Sequence, residues 1–113
     1  MSSGYSVRVR IEDSKLRALT DDVLPRLRAV VSIAAHNIER RGKEKVPVDT
    51  GATKDSIQPE FGSQGLSARI GPSTTYAPFL EFGTHRMAAR PFMVPALELE
   101  RGPFIEAIKK VVG

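Results

Sequence analysis

Asp49, Thr50 and Gly51 form an Asp-Thr-Gly triplet, the first place in this 113-residue chain to test for acid–base chemistry. In peptide hydrolysis of the aspartic-protease type, such a triplet supplies one of two carboxylates that share a proton. A small dimer contributes one from each subunit, on loops of an almost all-β frame. Here a long helical pattern precedes the triplet, and Lys43-Glu44-Lys45-Val46-Pro47 is too polar and proline-broken to be a buried strand feeding an active site. The triplet reads instead as a helix cap, with Asp49 and Thr50 available to accept backbone N–H groups of a short turn through Ser56. On this reading Asp49→Ala costs about 1 kcal/mol and removes no enzymatic activity.

Glu81 and His85 stand four apart, as metal ligands on one helix face would, but Gly83 between them argues against that helix. His36 falls off the apolar stripe of its helix and reads as solvated. There is no cysteine, so a disulfide framework, a thiolate site and a thiol nucleophile are all excluded. Neither a serine or lysine nucleophile motif nor a phosphate-cradling glycine loop is present. The expectation is therefore no enzyme, no cofactor and no metal.

The elements that position these residues follow from periodicity. Tyr5, Val7, Val9 and Ile11 alternate with Ser6, Arg8 and Arg10, the pattern of a half-buried strand. Asp13 or Ser14 could cap a short helix through Leu16 and Leu19, with Thr20, Asp21 and Asp22 as a second capping cluster. If Asp21 is the cap, Pro25 falls at the fourth helical position, where its missing N–H is harmless. Leu24, Leu27, Val31, Ala34, Ala35 and Ile38 then form one apolar stripe, with Arg26, Ile33, Asn37 and Arg40 opposite. The helix runs into the basic turn 40–45, with Gly42 available as a breaker, and Pro47 pushes Val46 to an extended conformation.

Residues 57–61 and 66–70 flank Gly62-Ser63-Gln64-Gly65 as a hairpin, which Gly71-Pro72-Ser73 terminates. The segment 76–82 is apolar and fits helix or strand. Residues 91–113 predict a helix interrupted at Gly102-Pro103, with Leu97, Leu99, Phe104, Ile105, Ile108 and Val111 or Val112 as burial candidates. The sum is an α+β fold: a small antiparallel sheet of the amino-terminal strand and the central hairpin, packed by one long helix, with a carboxy-terminal helix. Its length suits a single domain over 1–113.

The chain carries 17 basic and 13 acidic residues, a net charge of +4. This mild excess leaves open a basic nucleic-acid-binding module built on Arg26, Arg28, Arg40, Arg41, Lys43 and Lys45. No apolar run approaches the roughly 20 residues of a membrane span, and the amino terminus lacks the pattern of a secretory signal, so synthesis in the cytoplasm is expected.

Three segments are more specific than composition: VPVDTGATKDSI, ARIGPSTTYAPFLEFGT and RPFMVPALE. Their shared residues are Pro47, Asp49, Thr50, Gly51 and Ser56, then Tyr76, Ala77, Glu81, Phe82, Gly83 and Thr84, then Arg90, Pro91, Phe92, Pro95 and Ala96. In this order and spacing they resemble the HK-ninety-seven gene-ten-like family of tailed-phage proteins, which also looks related to minor tail protein Z of phage lambda. Thr53 stands where that family commonly has leucine. The resemblance implies a structural virion protein at the neck or top of the tail, completing the tail or joining it to the head. A tail terminator is the alternative within the same class. It further implies a hexameric ring of copies, with connector, terminator or tail-tube proteins as neighbours and unspecific contact with passing DNA. Such a ring would extend its sheet across subunits by edge pairing and would use the loop 83–90 and the last helix for contacts.

Overall fold

The computed structural model describes residues 5–11, 22–47, 51–62 and 64–112. The short helix expected through Leu16 and Leu19, its caps at Asp13 or Ser14, and Thr20, Asp21, Asp49 and Thr50 lie outside the described residues. In chain order the elements are β1 (Val7–Arg10), α1 (Leu24–Lys45), α2 (Gly51–Ser56), β2 (Gln58–Phe61), β3 (Ser67–Gly71), α3 (Ala77–Phe82) and α4 (Met93–Val112).

The strands form an antiparallel sheet in the order β1-β3-β2. Val7 lies opposite Ile70 and Val9 opposite Ala68, so these four share one face, all buried against α1. Arg8 lies opposite Arg69, and Glu60 lies opposite Arg69 from the other side, which places these charges on the outer face. The alternation read from the sequence is therefore the alternation of the sheet.

Helix α1 buries Leu27, Val31, Ala34, Ala35 and Ile38, the stripe predicted by three- and four-residue spacing. Its start differs from expectation. The helix begins at Leu24 after Val23, which makes no side-chain cap, and Pro25 falls in the first turn, where no intrahelical acceptor awaits its N–H. Gly42 does not break the helix. It is buried inside it, because a Cβ there would lie 2.6 Å from Met93 Sδ, and the missing side chain is what lets α4 approach. The helix stops at Lys45, and Val46 takes the extended conformation that the following Pro47 imposes. Asn37, expected on the solvent face, is half-buried and donates to Glu100 Oε1 at 3.1 Å.

The 76–82 segment resolves as helix α3, with Pro78 in its first turn. Helix α4 runs antiparallel along α1, from Met93 beside Gly42 to Glu100 beside Asn37 and Arg41. It continues through Gly102-Pro103, where the sequence predicted an interruption. Residues 101–103 are exposed, so the Leu99 carbonyl that loses its N–H partner at Pro103 can be solvated instead. Leu97, Phe104 and Ile108 pack against the core, as does Val111 of the alternatives Val111 and Val112, whereas Leu99 and Ile105 are exposed, contrary to expectation. At 100° per residue they fall off the face that α4 turns to α1 and β1.

Candidate interaction site

Two of the three sequence segments meet at one carboxylate. Glu81, in the last turn of α3, is only 3% exposed. Its Oε1 accepts from Met93 N at 2.8 Å and Phe92 N at 3.3 Å, and its Oε2 accepts from Val94 N at 3.2 Å. These three N–H groups sit at the start of α4, where no intrahelical carbonyl exists for them and the helix dipole favours negative charge. Tyr5, just ahead of β1, also donates its hydroxyl to Glu81 Oε1. Burial first, and then the hydrogen bond and charge of Glu81, push the Tyr5 hydroxyl far above its ordinary pKa, so it remains a donor. The Tyr5 ring packs on Phe82 at 5.5 Å and edge-on to Phe92 at 6.2 Å between centroids.

The remaining motif residues shape the connection. Gly83 has φ +75, and a Cβ there would lie 2.8 Å from Ala89 N and 2.9 Å from Met87 O. Any side chain would force the returning loop away. Thr84 closes that loop, accepting on Oγ1 from Arg86 N at 3.1 Å and Met87 N at 3.0 Å. Arg90 N donates to Leu80 O at 2.6 Å, its side chain is exposed beside exposed Pro91, and Phe92 then enters the core fully buried. Pro95 occupies the first turn of α4, where it removes no helical bond.

The first segment lies apart from this clasp. Pro47 follows α1, Gly51 opens α2 with its Cβ direction open, and Ser56 ends α2, donating to Thr53 O at 2.8 Å and accepting from Ser73 N at 3.0 Å. Thr53 is buried with its hydroxyl 2.8 Å from that of Thr74, so a polar side chain fits here because it has a partner.

A family model described as a bacteriophage HK97-gp10 tail component matches residues 13–83, more than half of the chain. The chain belongs to the HK97-gp10-like family. No curated protein and no solved structure matches it. The family's matched span ends at Gly83, so it contains the Glu81 carboxylate, while the N–H groups that Glu81 receives come from residues beyond it.

Membership of a tail-component family directs attention to surfaces. Tyr76, Phe79 and Phe82 are 46%, 50% and 65% exposed, and three-residue spacing places them along one side of α3. Tyr76 reaches Met87 Sδ at 3.6 Å, tying this apolar row to the loop after Gly83. Ala77, between them in sequence, is fully buried. Sequence reasoning named Tyr76, Phe82 and the loop but missed Phe79, whose exposure becomes readable only once 77–82 is known to be helical.

The basic residues around α1 are largely engaged with neighbours. Arg40 pairs with Glu44 at 3.2 Å, Lys43 with Glu39 at 3.0 Å and Arg41 with buried Glu100 at 3.6 Å, while Arg28 Nε donates to Gln64 O at 2.8 Å. His36 is exposed and lies 3.2 Å from Glu39. Among the described residues no group of three or more metal-ligating side chains converges, and Glu81 is committed to backbone while His85 is exposed. No helix among the described residues is long and apolar enough to cross a membrane.

Proposed function

We propose that the protein is a structural subunit of the head-to-tail interface in a long-tailed bacteriophage, acting by assembly as a single 1–113 domain and catalysing no reaction. The observation that carries this reading is the apolar row Tyr76, Phe79 and Phe82 on a chain of the tail-component family. Three large side chains held out by a helix whose other side is anchored through Ala77, Leu80 and Glu81 form a rigid docking face. Copies closing head to tail, as a hexameric ring expected from tail symmetry, would cover it, and connector, terminator or tail-tube proteins would stack on the ring. Passing DNA would meet only unspecific basic contacts.

Electron microscopy of phage particles with this gene disrupted tests the proposal. Filled heads beside separate, full-length tails are the expected result. Tails of uncontrolled length would make the protein a tail terminator, and normal infectious virions would overturn the assignment.

A further inference from the structure

The free edge of β1 is the part of the molecule that this reading leaves unused. Ile11 N donates to Leu66 O at 2.9 Å, which fixes Ile11, Val9 and Val7 as the residues whose backbone faces β3. The intervening Arg8 and Arg10 therefore turn their N–H and C=O groups to the other side, where β1 is the end of the sheet and no described residue pairs with it. The opposite edge is different. Gly62 N donates to Ser67 O at 2.9 Å, so Pro59 and Phe61 face outward on β2, and Pro59 has no N–H to give. A proline at that position blunts the β2 edge, while the β1 edge keeps its donors.

A groove of about 330 Å³ runs between this edge and α4. Leu97, Phe104 and Ile105 supply its apolar wall, and Arg8, Arg10 and Arg101 its basic rim. Glu100 also borders it, but that carboxylate is turned to Asn37 and Arg41. Among the described residues no ion pair engages Arg8, Arg10 or Arg101. Arg8 also lies directly across from Arg69, an unfavourable like-charge pair, with Glu60 opposite Arg69 on its other side.

We propose that this edge accepts an extended acidic segment of a partner protein as a fourth strand. A residue paired opposite Arg8 or Arg10 points to the arginine face, and one opposite Val9 points to the apolar wall, so the segment alternates acidic, apolar, acidic. Charge complementarity and the N–H groups of Arg8 and Arg10, which no described residue accepts, select it together. A second copy is a poor occupant, since its blunted β2 edge offers Gln58-Pro59-Glu60-Phe61, with one carboxylate and a missing donor. The inference rests on the protein being a docking subunit, but not on its position in the virion.

The test is amide hydrogen exchange on the full chain, with and without a capped peptide alternating Glu and Val. In the free protein the Arg8 and Arg10 amides should exchange fast while Val9 and Ile11 exchange slowly; the latter pair reports an intact sheet in every variant. The peptide should slow Arg8 and Arg10, and a Lys–Val peptide should not. Arg8→Ala should weaken binding about tenfold through lost charge, and Arg8→Pro, which also removes the donor, should abolish it. Amides already protected at every protein concentration would mean the chain fills its own edge, and protection rising with concentration would mean a second copy fills it. Either result overturns the proposal. So does peptide binding elsewhere, no binding, or a DNA duplex that engages the arginines without slowing the amides. None of these outcomes depends on the phenotype of the disrupted gene.

Discussion

At the scale of single residues, Glu81 carries the largest consequence. Removing it by Glu81→Ala leaves three helix-start N–H groups and a tyrosine hydroxyl facing a void, at a cost of about 3–5 kcal/mol. Glu81→Gln should lose less, because one oxygen still accepts. Denaturant unfolding reads both; an alanine variant within about 0.5 kcal/mol of the parent would show that the clasp does not hold α4. The Tyr5 hydroxyl has a raised pKa in the folded chain, so its stabilising contribution is complete below the ordinary tyrosine value of 10.0 and declines as pH rises above it. In a Tyr76→Phe background, Tyr5 is the sole tyrosine, and its phenolate absorbance should appear together with unfolding. Ionisation of Tyr5 in the ordinary range, with the fold intact, would contradict its hydrogen bond to Glu81. Glu39 shows the opposite sign. Burial would raise its pKa, but hydrogen bonds and charges from Lys43 and His36 outweigh that and hold it below the ordinary carboxylate value. Its contribution is present at neutral pH and is lost as pH falls through that lowered value. None of Glu81's partnerships was legible in the sequence, because they join residue 5 with residues 81 and 92–94, and spacing rules describe only neighbours along the chain.

At the scale of elements, the same substitution should have opposite effects at two glycines of packed helices. Gly102→Ala adds a methyl with nothing within 4 Å beyond the adjoining residues, so it should stabilise α4, by less than the full propensity gain of about 0.5–1 kcal/mol because the residue before Pro103 is disfavoured in the helical region. Gly42→Ala puts a methyl 2.6 Å from Met93 Sδ inside the core, and overpacking of about 1–3 kcal/mol should exceed the propensity gain. Thermal unfolding of the two variants checks the contrast, and a stabilised Gly42→Ala would mean that Met93 moves aside at little cost. The helical stripe of α1 and the alternation of β1 were readable because each pattern is local and each is buried on one side. Gly102-Pro103 was misread because a Gly-Pro pair signals a break only where the freed carbonyl has no solvent. Gly42 was misread for the converse reason: a breaker and a close-packing point look identical until the neighbouring helix is placed.

At the scale of the whole molecule, the chain is elongated, with extents of 51 × 28 × 21 Å, and its exposed aromatics concentrate on α3 and its flank. Phe79 is half exposed, so Phe79→Lys should leave unfolding stability within about 0.5 kcal/mol while weakening self-association. Sedimentation of the parent and variant at matched concentrations distinguishes the two effects. Unchanged assembly with unchanged stability would remove the α3 row from the docking face. The fold class followed from the sequence because length and periodicity limit a small α+β chain to few arrangements. The exposure of the α3 row did not, since exposure is a property of the packed molecule.

The clasp also has a consequence for timing during synthesis. Tyr5 and Glu81 are separated by 76 positions, and the N–H groups that complete the site come later still. A growing chain therefore cannot finish this junction until α4 has left the ribosome, and contacts of such long range close slowly. Until then Ala77 and Leu80 can seat α3 on the core, but its carboxyl end, with Glu81 and Phe82, lacks the helix start that holds it. For a subunit that acts by assembly, as proposed, the α3 row would gain its fixed direction only once residues 92–94 have been made.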